Sequence, residues 1–290
     1  MNIQWFPGHM AKTRRLIEEN RKLVDVVIEL LDARLVLSSQ NPEIDELIGN
    51  KPKVVVINKS DLADERVTAE WVEYFKARGR TAVAVDSISG KGMNRVFDAV
   101  DEMMREKRER FREKGMLNQT IKLMVVGVPN VGKSSFINRI AKRSTAKVGD
   151  RPGVTRGKQW VRVREGYELL DMPGVLWPKF DDEMTGMKLA FTGAVKDEII
   201  DIEELAVNLI KILRTGYAER LIERYKLEDI SGLTDYEILC EIGRKRGFLM
   251  RGGEIDTERA AHILMDEYRG RLLGKISLER PCDFEAGDEQ

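Results

Sequence analysis

Three short motifs, each directly after an apolar run, constrain this chain's fold more than any other feature. Asn58-Lys59-Ser60-Asp61 follows Lys53–Ile57 (KVVVI), Gly127-Val-Pro-Asn-Val-Gly132-Lys133-Ser134 follows Ile121–Val126, and Asp171-Met-Pro-Gly174 follows Tyr167–Leu170. Short continuous apolar runs read as strands buried on both faces, and the polar or Gly-rich residues at their ends read as loops along one sheet edge. Val24–Leu31, broken only by Glu29, and Thr81–Val85 (TAVAV) are two more such strands. Trp160–Val163 and Tyr167–Leu170 flank a Glu165-Gly166 turn and read as a hairpin. Helical stretches separate most of the strands, Ala11–Leu23, Met93–Lys114 and Ser135–Ile140 among them. The expected sheet therefore has six strands, mostly parallel, with one antiparallel strand from the hairpin.

After about Pro178 the strand signals stop. Isoleucine and leucine recur at helical spacing over Asp197–Arg214 and Ala218–Tyr225, Thr234 and Glu237 have the capping-box spacing, and a further helix is expected over Thr257–Leu272. This predicts an α/β domain over 1–178, an all-α domain over 179–282 and an acidic, disordered tail over 283–290.

The motif chemistry points to a nucleotide. Glycines in Gly127–Ser134 let backbone N–H groups turn toward a β-phosphate, where a helix N-terminus adds positive potential. Val131, Gly132, Lys133, Ser134 and Ser135 would hold the phosphates, with Lys133 on the β- and γ-phosphates and Ser134 on Mg²⁺. At the end of Lys53–Ile57, the Asp61 carboxylate can accept both adjacent donors of guanine, N1–H and N2–H₂, and would be left unpaired by adenine. Asn58 and Lys59 would brace that loop and cover the base, and the backbone of Ser87-Ile88-Ser89 would reach guanine O6. Asp171 would hold Mg²⁺ through water, the Gly174 N–H would sense the γ-phosphate, and Thr155 would touch both metal and γ-phosphate as a switch residue. Asn130 has two open readings: ligand of a bridging K⁺, or stabiliser of the loop.

The base-reading half precedes the phosphate half. Counted from the phosphate loop, the six strands fit a Ras-like sheet whose ends were joined near residues 100–120 and reopened after Gly174. The chain thus looks like a circularly permuted P-loop GTPase domain. Val175 stands where ordinary small GTPases carry a water-orienting glutamine, so hydrolysis should be slow unaided. His9 could supply the missing polar group, or cap a helix or meet a partner. Lys133, Thr155 and Gly174 complete the catalytic candidates. His262 reads as a packed helix residue.

With these residues in view, the chain resembles the ribosome-assembly GTPases of the RbgA/YlqF type. The motif order matches, as do Trp5-Phe-Pro-Gly-His-Met10, Asp32-Ala33-Arg34 and Val175. The resemblance implies GTP and GDP as ligands and a factor that binds the maturing large ribosomal subunit and its rRNA. It also implies hydrolysis when the subunit is correctly formed, with His9 as the catalytic group.

Composition bounds the alternatives. Lys+Arg and Asp+Glu balance at 49 each, which argues against a simple polycation and against DNA coating. Arg244-Lys245-Arg246-Gly247-Phe248, Arg251, Arg269 and Arg271 could form a basic face for RNA, with Arg14, Arg15, Arg21 and Lys22 as a second surface. Arg105–Lys114 interleaves glutamates and reads as a solvated helix face. Cys240 and Cys282 form no disulfide framework. No apolar run reaches membrane-span length, and the N-terminus lacks a secretory h-region, so a cytoplasmic monomer is expected. Two other readings remain: an RNA-binding module with GTP as a structural ligand, and a protein-directed GTPase switch.

Overall fold

The computed structural model describes residues 7–116, 119–144, 160–170, 183–195 and 197–285. The chain divides into two compact units, one of residues 4–180 with 279–290, the other of 181–278 with the first three residues.

The first unit is built on a six-stranded sheet. Its strands are β1 (Val26–Asp32), β2 (Lys53–Asn58), β3 (Thr81–Ala84), β4 (Ile121–Gly127), β5 (Trp160–Arg164) and β6 (Tyr167–Leu170), in the order β3-β2-β1-β4-β6-β5. All neighbours are parallel except β5, which pairs antiparallel with β6 around Gly166 at φ +78°. Every residue of β1 is buried, as a central strand covered on both faces requires. Glu29 is tolerated there because the Lys53 ammonium on the neighbouring strand lies 2.8 Å from its carboxylate. The strand starts at Val26 rather than Val24, since the Asp25 carboxylate already accepts from the Lys122 amide at 2.9 Å.

Helices α1 (Pro7–Asn20), α2 (Ile44–Ile48) and α3 (Glu65–Ala77) join alternate strand residues in two apolar clusters. Ile17 and Leu47 pack with Val27 and Val126 in one; Val67 and Trp71 pack with Leu31 and Ile57 in the other. Asp64 starts α3 by accepting from the amides of Arg66 and Val67. The predicted single helix over 93–114 is two, α4 (Met93–Met103) and α5 (Arg105–Glu113). The apolar face of α4 ends at buried Met104, and α5, with no buried residue, has no core to follow. Helix α6 (Lys133–Ser144) follows the phosphate-type loop.

The second unit holds α7 (Glu183–Phe191), α8 (Ile202–Gly216), α9 (Ala218–Tyr225), α10 (Asp235–Lys245) and α11 (Thr257–Arg269). The expected helix from Asp197 splits, because Asp201 caps α8 through the amides of Glu203 and Glu204. The capping box at Thr234 and Glu237 forms as its spacing predicts. Two residues of the basic face expected here, Arg246 and Arg269, are engaged internally, while Arg244, Lys245, Arg251 and Arg271 are exposed. Arg224 and Arg246 pair with Glu267, while Arg269 grips Asp197 at 2.6 and 2.8 Å and donates to the carbonyls of Ala190 and Phe191. His262 is exposed on α11 rather than packed.

Residues 279–285 return to the sheet unit, which differs from the expected boundary at 282. Buried Glu279 accepts from the amides of Leu37 and Ser38 at 2.9 and 3.2 Å and from the Ser38 hydroxyl. Its carbonyl takes the Trp71 indole N–H at 3.2 Å, and Phe284 of the short helix α12 (Cys282–Glu285) lies 6.1 Å from the Trp71 ring. Part of the expected disordered tail is therefore ordered against α3.

Candidate functional site

The chain runs outward from β1 to β3, then returns to β4 on the other side of β1. Loops leaving β1 and β4 diverge there, opening a crevice at the carboxyl ends of the strands. Asp32 ends β1 and pairs in register with Asn58, the last residue of β2. The motif Asn58–Asp61 thus faces the loop that follows β4.

The two loops are tied directly. Asn58 Nδ2 donates to the Val131 carbonyl at 2.9 Å, and its Oδ1 accepts from the Ser87 hydroxyl at 2.7 Å and the Ser87 amide at 3.3 Å. One amide therefore joins three loops that are far apart in sequence. Gly132 sits against it at φ +97°, where a Cβ would lie 2.4 Å from Asn58 Nδ2, so both conformation and space require glycine. Lys59 and Asn130 both hold left-handed backbone, at φ 59° and 58°, and the Lys59 ammonium donates to the Asn130 carbonyl. Such residues cost on the order of 1 kcal/mol each and persist where surrounding contacts fix them.

Beneath Lys59 lies a buried charge cluster. Asp32 and Arg34 side chains are each 2% exposed, joined by paired bonds of 2.9 and 2.7 Å, with Lys59 Nζ 3.0 Å from the same carboxylate. Burial pushes the Asp32 carboxyl up, but Arg34 and Lys59 outweigh it and hold it well below the carboxylate range. Burial draws the Lys59 ammonium below its ordinary value, opposed by Asp32. Asp61 is half-buried and close enough to act electrostatically on Lys59.

Lys133 opens α6, and its ammonium donates to the Gly127 and Val128 carbonyls at 2.9 and 2.8 Å. Ser134 and Ser135 are exposed in the first turn. A serine hydroxyl is the hard oxygen donor that Mg²⁺ takes, and the helix N-terminus suits phosphate. Among the described residues no group of three or more His, Cys, Asp or Glu could hold a metal. Thr155, Asp171, Gly174 and Val175 lie outside the described residues. His9 lies in the first turn of α1, and its side chain is also outside them.

The Ile88 amide, expected to face the base, donates to Asp86 Oδ1 at 2.8 Å, and Ser89 donates to the same oxygen at 3.2 Å. Asp86 closes an Asx turn that holds this loop. Ile88 is 78% exposed. Arg139 of α6 donates to the Ser87 carbonyl at 3.2 Å and also to that of Ile88. Neither Asp86 nor Arg139 was among the sequence candidates. Asp86, directly before Ser87, could have been found from Asx-turn chemistry, whereas Arg139 has only tertiary partners.

A phosphate-type loop after β4, bonded to the Asn58–Asp61 loop that precedes it in the chain, marks a circularly permuted GTPase fold. A family model described as "50S ribosome-binding GTPase" matches residues 122–240. Ribosome biogenesis GTPase A of Bacillus cereus is 48% identical over 284 residues, covering 98% of this chain and 96% of that one. The mouse protein named mitochondrial ribosome-associated GTPase 1 is 33% identical, over 96% of this chain and 90% of its own. The GDP-bound structure of the Thermotoga maritima protein YlqF superposes with a TM-score of 0.65 at 28% identity, covering 93% of this chain and all of that one. The chain belongs to the ribosome biogenesis GTPase A (RbgA/YlqF) family.

Proposed function

We propose that this protein is an assembly factor for the large ribosomal subunit, which binds GTP, hydrolyses it slowly alone and faster on the particle, and leaves on hydrolysis. The observation that carries the nucleotide half is the Asn58 amide, which bonds the base loop to the phosphate loop at Val131 and to Ser87. The ribosomal half is supported by the names of its relatives.

In this reading Asp61 reads guanine, Asn58 and Lys59 shape its loop, and the Ser87–Ile88 turn flanks the base. Val131, Gly132, Lys133, Ser134 and Ser135 hold the phosphates. Ser134, Thr155 and Asp171 would hold Mg²⁺, which supplies charge neutralisation at the β- and γ-phosphates. Asn130 would ligate K⁺. Thr155 and Gly174 sense the γ-phosphate, Val175 leaves water unoriented, and His9 supplies the polar group. The helical unit over 181–278 meets rRNA, and the protein works as a cytoplasmic monomer. No helix among the described residues is long and apolar enough to cross a membrane.

The test is GTP turnover in potassium buffer, alone and with purified large or small subunits. Stimulation by the large subunit alone is expected. Turnover that no particle changes would favour a structural nucleotide or a protein-directed switch.

A further inference from the structure

At the sheet end away from the nucleotide loops lies a groove of about 1010 Å³. It is lined by Asp25 and Pro52, which immediately precede β1 and β2, by the residues after α1 and by α5. The seven residues of β1 set it about 20 Å from the base loop at roughly 3.3 Å per residue.

The groove is strongly cationic although the chain is neutral. Arg21, Lys22, Lys51, Lys107, Arg110 and Lys114 line it, against only Asp25 and Glu106. Lys107 pairs with Asp25, while Arg110 and Glu106 are 3.9 Å apart and largely exposed, a loose pair that leaves Arg110 open to other anions; the net surplus is four positive charges. Arg21 and Lys51 donate to the Leu47 and Val24 carbonyls at 3.2 and 2.7 Å, contacts that place them without neutralising them. Lys22, Arg110 and Lys114 are exposed.

The sequence of α5 hides this surplus by alternating signs. On the helix, Glu106, Lys107, Arg110, Phe111 and Lys114 share the groove face, while Glu109 and Glu113 do not line it. The segment is the solvated face its charge pattern suggests, but on the groove side its charges are not evenly mixed. Half-buried Phe111 adds an aromatic ring, with the Lys107 ammonium 5.5 Å from its centroid. Cations flanking a partly exposed ring are the combination that holds a sugar-phosphate backbone and stacks an unpaired base. An acidic polypeptide would meet the cations but offer Phe111 no planar base.

We propose that this groove binds single-stranded RNA, with phosphates on Lys22, Lys51, Arg110 and Lys114 and one base against Phe111. The source of that RNA rests on the ribosomal function proposed above. The groove itself is separate from the GTP site, so RNA and nucleotide should bind together.

The test uses the full chain, a short labelled single-stranded RNA, and sedimentation with large subunits. Lys22→Glu/Arg110→Glu/Lys114→Glu should bind the RNA at least tenfold more weakly. Its slope of log affinity against log salt should be shallower by about two, at roughly 0.7 for each phosphate that no longer meets a cation. Phe111→Ala should lose about fivefold. Lys76→Glu/Arg105→Glu/Arg112→Glu, the same charge change outside the groove, should stay within twofold, and GTP affinity should not move in any variant. Equal loss in both triple variants, or none in the first, would overturn the proposal. So would polyglutamate displacing the RNA at equal charge concentration, which would point to an acidic protein. If wild type and groove variant sediment equally with large subunits, the groove proposal falls and the ribosomal reading stands. If wild type fails to sediment, the ribosomal reading falls and the RNA titration alone decides the groove.

Discussion

At the residue scale, the site depends on small groups that let two distant loops meet. Gly132 is the tightest case, since a Cβ would lie 2.4 Å from Asn58 Nδ2 and φ is +97°. Gly132→Ala should reduce GTP affinity at least tenfold by calorimetry while the fold, followed by circular dichroism, persists; unchanged affinity would mean the loops meet differently. The need for glycine was legible in the motif, but its reason was not, because the partner lies 74 positions away on β2. Asp32 and Arg34 illustrate the same gap. Sequence marks them only through resemblance, whereas their burial beside Lys59 explains how charge is held under the base loop.

At the scale of elements, the strands were legible because buried parallel strands are nearly pure β-branched runs, and KVVVI needs no partner to be recognised. Breaks within helices were harder to place. Met104 and Asp201 end or restart helices through burial and capping that the apolar spacing does not encode. The helical unit also contains a charge network with a pH signature. Burial pushes Glu267 up, but hydrogen bonds from Arg224 and the charges of Arg246 and Arg224 overcome it, so its carboxyl is held below the ordinary glutamate value. A depressed carboxylate contributes stability above its unfolded value that disappears as pH falls through the folded one. Hydrogen-exchange protection of α9 and α11 should therefore weaken as pH drops below about 4.5, and Glu267→Gln should flatten that dependence. A pH response identical in wild type and variant would remove Glu267 from the account.

At the scale of the whole molecule, the chain leaves the sheet unit near residue 180 and returns to it at Glu279. Sequence places Glu279 in the helical domain, because composition cannot show that its carboxylate will accept from two amides and a hydroxyl of the sheet unit. Glu279→Gln should destabilise the sheet unit by about 1.5–3 kcal/mol, the scale of hydrogen bonds to a charged group. All four tryptophans precede residue 180, so urea unfolding followed by their fluorescence reports that unit. No shift in the midpoint would show the returning segment to be dispensable.

The central claim is that two loops in permuted order form one guanine-nucleotide site, with Asp61 reading the base. Its most direct test is calorimetric titration of GTP, ATP and XTP into wild type and Asp61→Asn. Wild type should prefer GTP strongly over both, and the variant should lose GTP affinity and gain XTP. A variant with the wild-type base preference would contradict the account.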